Sequence, residues 1–241
     1  MNKIELFGLP IDDGNLADTV EEIVTRVRRN EVIEHVGVNS NKVVLSQRDA
    51  HIKQIIQEAD MVSADGYSVV RACHWINKKK IERVTGIDTM QALLKRAEEE
   101  NFSVYFLGTK ETILEKLLAV LREQYPKLQI VGSHHGYFKD EEQVVNEIAA
   151  CQPQLLFVGI TSPYKEEFVN KYKYQLKANL IMGVGGSFDV LAGEISRAPK
   201  WMQRCGLEWL HRFMKEPLRL YKRYIFENLY FVYLTVREKT K

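Results

Sequence analysis

Apolar positions along the chain follow two different rhythms. Short apolar runs predict strands at KIELFG (3–8), EHVGVN (34–39), MVSA (61–64), SVYFLG (103–108), LQIVGS (128–133), LLFVGI (155–160) and LIMGVG (180–185). Between them the pattern shifts to helical spacing. In ETILEKLLAVLREQ, Ile113, Leu117, Val120 and Leu121 share one helix face. Helices are predicted near 16–30, 41–58, 66–77, 87–100, 110–124, 140–151 and 163–176. Strands alternating with helices in this way predict βαβ units and an α/β fold with a mostly parallel sheet flanked by helices.

An open parallel sheet binds ligands outside the carboxyl ends of its strands. That singles out NSN (39–41), DG (65–66), GTKE (108–111), SHHG (133–136), TSPYKEE (161–167) and GGSFD (185–189). Asp65 has two readings there: the N-cap of the following helix, or a general base at the ligand edge. Arg83, in ERVTGID, is either a solvated charge or a guanidinium that clamps a phosphate. Thr85 with Asp88 suits a helix cap.

GVGGSFDVLAG is a glycine-rich passage from strand to helix, able to present amides to a phosphate and equally able to serve as a plain tight turn. It is not the dinucleotide fingerprint. Gly183 and Gly185 fit, but Phe188 stands where the third glycine belongs, and the position about 20 residues on falls at Arg204 and Cys205, with no acidic ribose ligand. His134 and His135 lack the spacing of a metal pair, and no Asp-x-Asp occurs.

Composition adds one asymmetry. The 241 residues are 45% hydrophobic and 27% charged, ordinary for a globular protein. Residues 196–241 hold 11 Lys/Arg against 4 Asp/Glu, a net +7, whereas the 195 before them hold 23 against 28, a net −5. The same tail carries 9 of the 24 aromatics. Three scattered cysteines suggest neither a disulfide framework nor a zinc cluster, so a reduced, cytoplasmic protein is expected. No apolar run approaches the roughly 18 residues of a membrane span. The N-terminus has no signal-peptide pattern.

Together, NSNKVVLSQRD, SADGYSVV, ERVTGIDTM, LLFVGITSPYKEEFV and the long IMGVGGSFDVLAGEISRAPKWMQRCGLEWLHRFMKEPLRLYKRYIF resemble the WecG/TagA/CpsF family of bacterial glycosyltransferases, from about residue 3 to about 230. The resemblance implies a Rossmann-like catalytic domain over 1–195 and a membrane-association appendage over 196–241. It implies a metal-independent, cofactor-free, inverting transfer of a hexose from a UDP-sugar to a polyprenyl-diphosphate-linked acceptor at the inner face of the plasma membrane. Products of this kind feed teichoic acid linkage units and other polysaccharides.

By the same resemblance Asp65 is the catalytic base and Arg83 a diphosphate ligand, with Asn39 and Asn41 in the active-site loop. Thr85, Lys165, Glu166, Gly185, Gly186, Ser187 and Asp189 are the further expected substrate contacts. Lys165 stands where many members have Gln, which leaves glucose or a uronic acid open beside the family's usual N-acetylmannosamine. Lys165 would then join Arg83 and the amides around Gly185 to Ser187 in meeting the diphosphate charge.

The tail stretch LHRFMKEPLRLYKRYIF interleaves cations with large apolar residues, and Pro217 is placed to begin a helix. Three occupants suit it: the protein's own core, nucleic acid, or an anionic membrane surface. The resemblance favours the membrane, with Arg212, Arg219, Lys222 and Arg223 as membrane or diphosphate contacts, and no nucleic acid. It also allows self-association through the body.

Overall fold

The structure, a computed structural model, describes residues 1–215 and 217–240, without the side chains of Arg204, Arg212 and residues 217–225. Strands β1 (Lys3–Leu6) and β2 (Leu9–Asp12) form an antiparallel hairpin. Six more follow: β3 (Ile33–Val38), β4 (Met61–Ala64), β5 (Ser103–Gly108), β6 (Gln129–His134), β7 (Leu155–Gly159) and β8 (Leu180–Gly183). These six make one wholly parallel sheet in the order β4-β3-β8-β7-β5-β6.

Helices cover both faces, as parallel strands require. α1 (Leu16–Arg28), α5 (Gly86–Glu100), α6 (Glu111–Gln124) and α9 (Ser187–Leu191) pack one side, where Ile23, Val27, Leu93, Leu94, Leu117 and Phe188 meet Phe106 and Phe157 of the sheet. α2 (Ser40–Arg48), α3 (Ala50–Glu58), α4 (Tyr67–Asn77), α7 (Glu141–Cys151) and α8 (Tyr164–Tyr172) pack the other. Adjacent strands β3 and β8 therefore send their helices, α2 and α9, to opposite faces. That divergence opens a crevice at their carboxyl ends.

Two predicted boundaries shift for local reasons. The strand expected over 3–8 stops at Leu6, because Phe7 and Gly8 both take positive φ, 58° and 74°, and turn the chain into the hairpin. The hairpin stays outside the main sheet, and the Asp12 carboxylate accepts the Val62 amide of edge strand β4 at 2.7 Å. The helix expected over 41–58 breaks at Asp49, whose extended backbone ends α2 while its side chain caps α3 by accepting from the His51 and Ile52 amides.

The tail holds α10 (Lys200–Cys205), α11 (Glu208–Lys215) and α12 (Pro217–Lys239), the last starting at the expected proline. α12 lies on α2 and α4. Phe231 and Leu234 are buried in the body's core, and the Phe231 ring meets Phe7 of the hairpin turn edge-on at 5.6 Å. Arg48 covers Tyr230 at 4.8 Å, and the Ser40 hydroxyl donates to Asn228 at 3.2 Å. The outer side of α12 leaves Phe226, Leu229, Val232, Tyr233 and Val236 exposed. No helix among the described residues is long and apolar enough to cross a membrane.

Phe231→Ala should cost about 3 kcal/mol, as for other buried aromatic truncations, and loosen α12. Urea denaturation reads the first effect, and faster limited proteolysis within residues 226–239 reads the second. An unchanged midpoint would mean that α12 does not depend on this anchor.

Candidate active site

The crevice is assembled from backbone first. Asn39 caps α2, its side chain accepting from the Lys42 amide at 3.1 Å. The neighbouring loop presses against it so closely that a Cβ on Gly66 would stand 3.2 Å from the Asn39 Cα. Asp65 emerges between them, its amide donating to the Val38 carbonyl at 2.9 Å. Residues 61 and 63 of β4 alternate toward the α5 side, and Asp65 continues that phase. Its carboxylate consequently reaches α5, accepting the Gly86 amide at 3.1 Å. The N-cap of α4 is Gly66, with no side-chain cap bond, so Asp65 does not cap the helix that follows it.

Gly86 brings the third loop in. A Cβ there would lie 3.8 Å from the Gly183 carbonyl at the end of β8. Just past that strand Gly185 takes φ of 53° and, with Gly186, is exposed. Ser187 is buried, its hydroxyl donating to the Val184 carbonyl at 2.6 Å. Asp189 sits farther along and accepts from the Thr109 hydroxyl at 3.2 Å, tying α9 to the end of β5. Asn41 lies half-buried in the first turn of α2.

Two charged assemblies flank Asp65. In the first, Arg83 pairs through Nη1 with Glu208 of α11 at 2.6 Å, and its guanidinium lies over the Tyr67 ring at 5.5 Å. Glu208 also receives Arg197 at 3.3 Å, and Arg197 grips Asp88 with two bonds of 2.6 and 2.9 Å. Thr85 caps α5 by accepting the Asp88 amide at 3.2 Å. Burial alone would raise the Asp88 carboxyl, but Arg197, Thr85 and then Arg83 hold it below its ordinary value.

In the second, Glu166 of α8 lies between Lys42 of α2 and Lys165, whose ammoniums stand 2.9 and 3.1 Å from its Oε1. The Ser162 hydroxyl donates to Oε2 at 2.7 Å. Burial would push the Glu166 carboxyl up, yet Lys42 and Lys165 hold it down at about 2. Lys165 is itself pulled down to about 8, by burial and then by repulsion from Lys42, against the opposing pull of Glu166 and Asp65. The Lys165 stem runs over Gly183, where any Cβ would stand 2.6 Å from its Cε.

Of the expected residues, Asn39, Asp65, Arg83, Thr85, Lys165, Glu166 and the Gly185–Gly186 turn belong to the loops that converge on this edge, while Asp189 lies toward β5. The side chains of Arg212, Arg219, Lys222 and Arg223 lie outside the described residues. His134, the last residue of edge strand β6, and His135 just past it hold their rings 4.6 Å apart and tilted by 46°, at the far end of the sheet from Asp65. No group of His, Cys, Asp and Glu among the described residues is arranged to hold a metal ion. Lys42, Arg197, Glu208 and Tyr67 escaped the sequence reading. Lys42 and Tyr67 each directly follow a candidate segment, NSN and DG, whereas Arg197 and Glu208 adjoin none.

The glycosyl transferase WecG/TagA/CpsF family model matches residues 4–241. The chain is 31% identical over 174 residues to an N-acetylglucosaminyldiphosphoundecaprenol N-acetyl-beta-D-mannosaminyltransferase of Bacillus spizizenii, covering 72% of this chain and 68% of that protein. It is 29% identical over 204 residues to a protein of the same name from Bacillus subtilis, covering 85% and 79%.

Glu166 ionises more readily folded than unfolded, so its contribution to stability is full above its ordinary pKa and is lost as pH falls toward about 2. Glu166→Gln should therefore lower stability by on the order of 3 kcal/mol near neutral pH, and the gap from the parent should narrow between about pH 4.5 and 2. Urea midpoints of both proteins across that range check it; a gap independent of pH would refute it.

Proposed function

This chain belongs to the WecG/TagA/CpsF family of glycosyltransferases, and we propose that it moves N-acetylmannosamine from a UDP-sugar to N-acetylglucosaminyl-diphosphate-polyprenol, inverting the anomeric centre. The acceptor and the sugar follow the names of the two Bacillus relatives. The observation that carries the mechanism is Asp65: a half-buried carboxylate at the carboxyl edge, oriented by the Gly86 amide, beside the loop of Asn39.

In this reading Asp65 takes the proton from an acceptor hydroxyl as that oxygen attacks the anomeric carbon. UDP leaves from the opposite face. Its negative charge is met by Arg83 and by the exposed amides around Gly185 and Gly186, and Tyr67 and Glu208 keep the guanidinium in one orientation. The bond broken is C1–O of the sugar phosphate, the bond formed is C1–O of the new glycoside, and the proton ends on Asp65. Asn39 and Asn41 line the acceptor side of the crevice.

The lipid acceptor places the reaction at an anionic membrane surface. The exposed apolar row of α12 and the basic tail support docking there, each cation near anionic lipid contributing about 1 kcal/mol.

The deciding experiment is UDP release from UDP-N-acetylmannosamine with a polyprenyl-diphosphate-GlcNAc analogue. Asp65→Asn should cut turnover by roughly 10²–10⁴ while leaving UDP affinity nearly unchanged. Unaltered turnover would remove Asp65 from the role of base, and no UDP binding by the parent protein would remove the donor assignment.

A further inference from the structure

The two charged assemblies differ in their balance. Asp88, Arg197, Glu208 and Arg83 alternate in sign and cancel. Lys42, Glu166 and Lys165 do not: two ammoniums share one carboxylate. Their side chains are 7%, 1% and 10% exposed, so the surplus positive charge is inside the protein. Among the described residues no other carboxylate comes within ion-pair distance of either lysine.

The hydrogen bonds are equally unbalanced. Each ammonium carries three N–H donors. Both approach the same oxygen, Glu166 Oε1, at 2.9 and 3.1 Å, so each spends no more than one of its donors there. The other oxygen is already engaged by Ser162. A buried cation with unspent donors is costly unless something anionic completes it. The place where it would be completed is the crevice, because the Lys165 stem crosses Gly183 at the end of β8, and the Gly183 carbonyl adjoins Gly86, the residue that holds Asp65. The charged groups that face Lys165 are Lys42 from α2, Glu166 from α8 and Asp65 from beyond β4.

We infer that Lys42 and Lys165 form a two-lysine clamp for an oxyanion of the donor, either an oxygen of its diphosphate or a carboxylate on its sugar. The inference rests on the donor being a sugar nucleotide. Glu166 is the positioning residue that holds both ammoniums at the crevice while neutralising only one of them. The clamp makes Lys165 a determinant of which donors bind. A neutral side chain at this position could hydrogen-bond a hydroxyl, but it would supply no charge for an acid.

Titration calorimetry with UDP, UDP-N-acetylmannosamine and UDP-glucuronate tests this, using the parent protein, Lys165→Gln and Lys42→Gln. Either variant should weaken at least one ligand by about tenfold or more, the scale of a lost charge-assisted hydrogen bond. An equal loss for all three ligands assigns the clamp to the diphosphate, and a loss confined to UDP-glucuronate assigns it to a sugar carboxylate. The parent protein supplies a readout free of any folding defect: its affinity should fall as pH rises past about 8, where free Lys165 gives up its proton. Unchanged affinities in folded variants, with no such pH dependence in the parent, would overturn the clamp and leave the transferase reading standing. If the parent binds no uridine nucleotide, the donor assignment fails instead. Inorganic pyrophosphate and glucuronate then test the clamp alone, and binding of neither would overturn it too.

Discussion

The charged groups that follow the strand ends, Asp65, Lys42, Lys165 and Glu166, are constrained by strand direction. Six parallel strands deliver their carboxyl ends to one edge, and each hands its chain to a helix on one face or the other. Between β3 and β8 the helices part, and polar groups from four loops can meet without a helix filling the space. The meeting is possible because backbone approaches backbone. Gly66 lies against Asn39, Gly86 lies near the Gly183 carbonyl, and Gly183 leaves room for the Lys165 stem. A side chain on Gly66 or Gly183 would wedge the crevice open. Asp65, Lys165 and Arg83 owe their shared edge to that constraint, more than to any direct bond among them.

The edge is also electrostatically divided. On the Arg83 side opposite charges alternate, so the guanidinium is oriented without being starved of counter-charge. It carries one carboxylate and one aromatic face and has further N–H groups to offer a ligand. On the Lys165 side the balance is left open inside the protein. The low value of Glu166 and the depressed value of Lys165 express one arrangement, in which a single anion serves two cations. A site assembled this way favours anionic ligands before any particular contact is made, because the protein's own groups leave the charge incomplete.

Much of the frame was legible in the sequence, and the misses have physical causes. The six strands of the main sheet follow from apolar runs, since parallel strands covered on both faces need nothing else to declare them. The hairpin was hidden because Phe7, apolar and within such a run, takes a positive φ that nothing local announces. The break at Asp49 was announced, by an aspartate in a position to cap, but the helical pattern on both sides masked it. At the site, proximity to a strand end was enough to flag Asp65 and Lys165, and Arg83 stood out as a cation in the connection before α5. Proximity did not flag Lys42, although that residue directly follows the NSN segment, because it reads as an ordinary helix lysine until α8 brings Glu166 against it. Nor could it flag Glu208, whose partner lies on the far side of the whole domain in sequence.

The tail shows most clearly why composition alone misleads. Its aromatics and cations read as one surface-seeking segment, yet the structure divides them by helix face. Phe231 and Leu234 serve the core, while Phe226, Leu229, Tyr233 and Val236 face outward from the same helix. Earlier in the tail, Glu208 of α11 grips Arg83, and Gly206 packs so tightly on Tyr67 that a Cβ would stand 2.8 Å from its ring. Residues 196–241 are thus bound to the body at two places, once beside the candidate diphosphate ligand and once beneath the outward apolar row. Any surface that engages that row engages a helix already seated on α2, the helix that Asn39 caps and from which Lys42 reaches Glu166. The same few turns of helix therefore connect the outer face of the tail to the crevice through packed side chains.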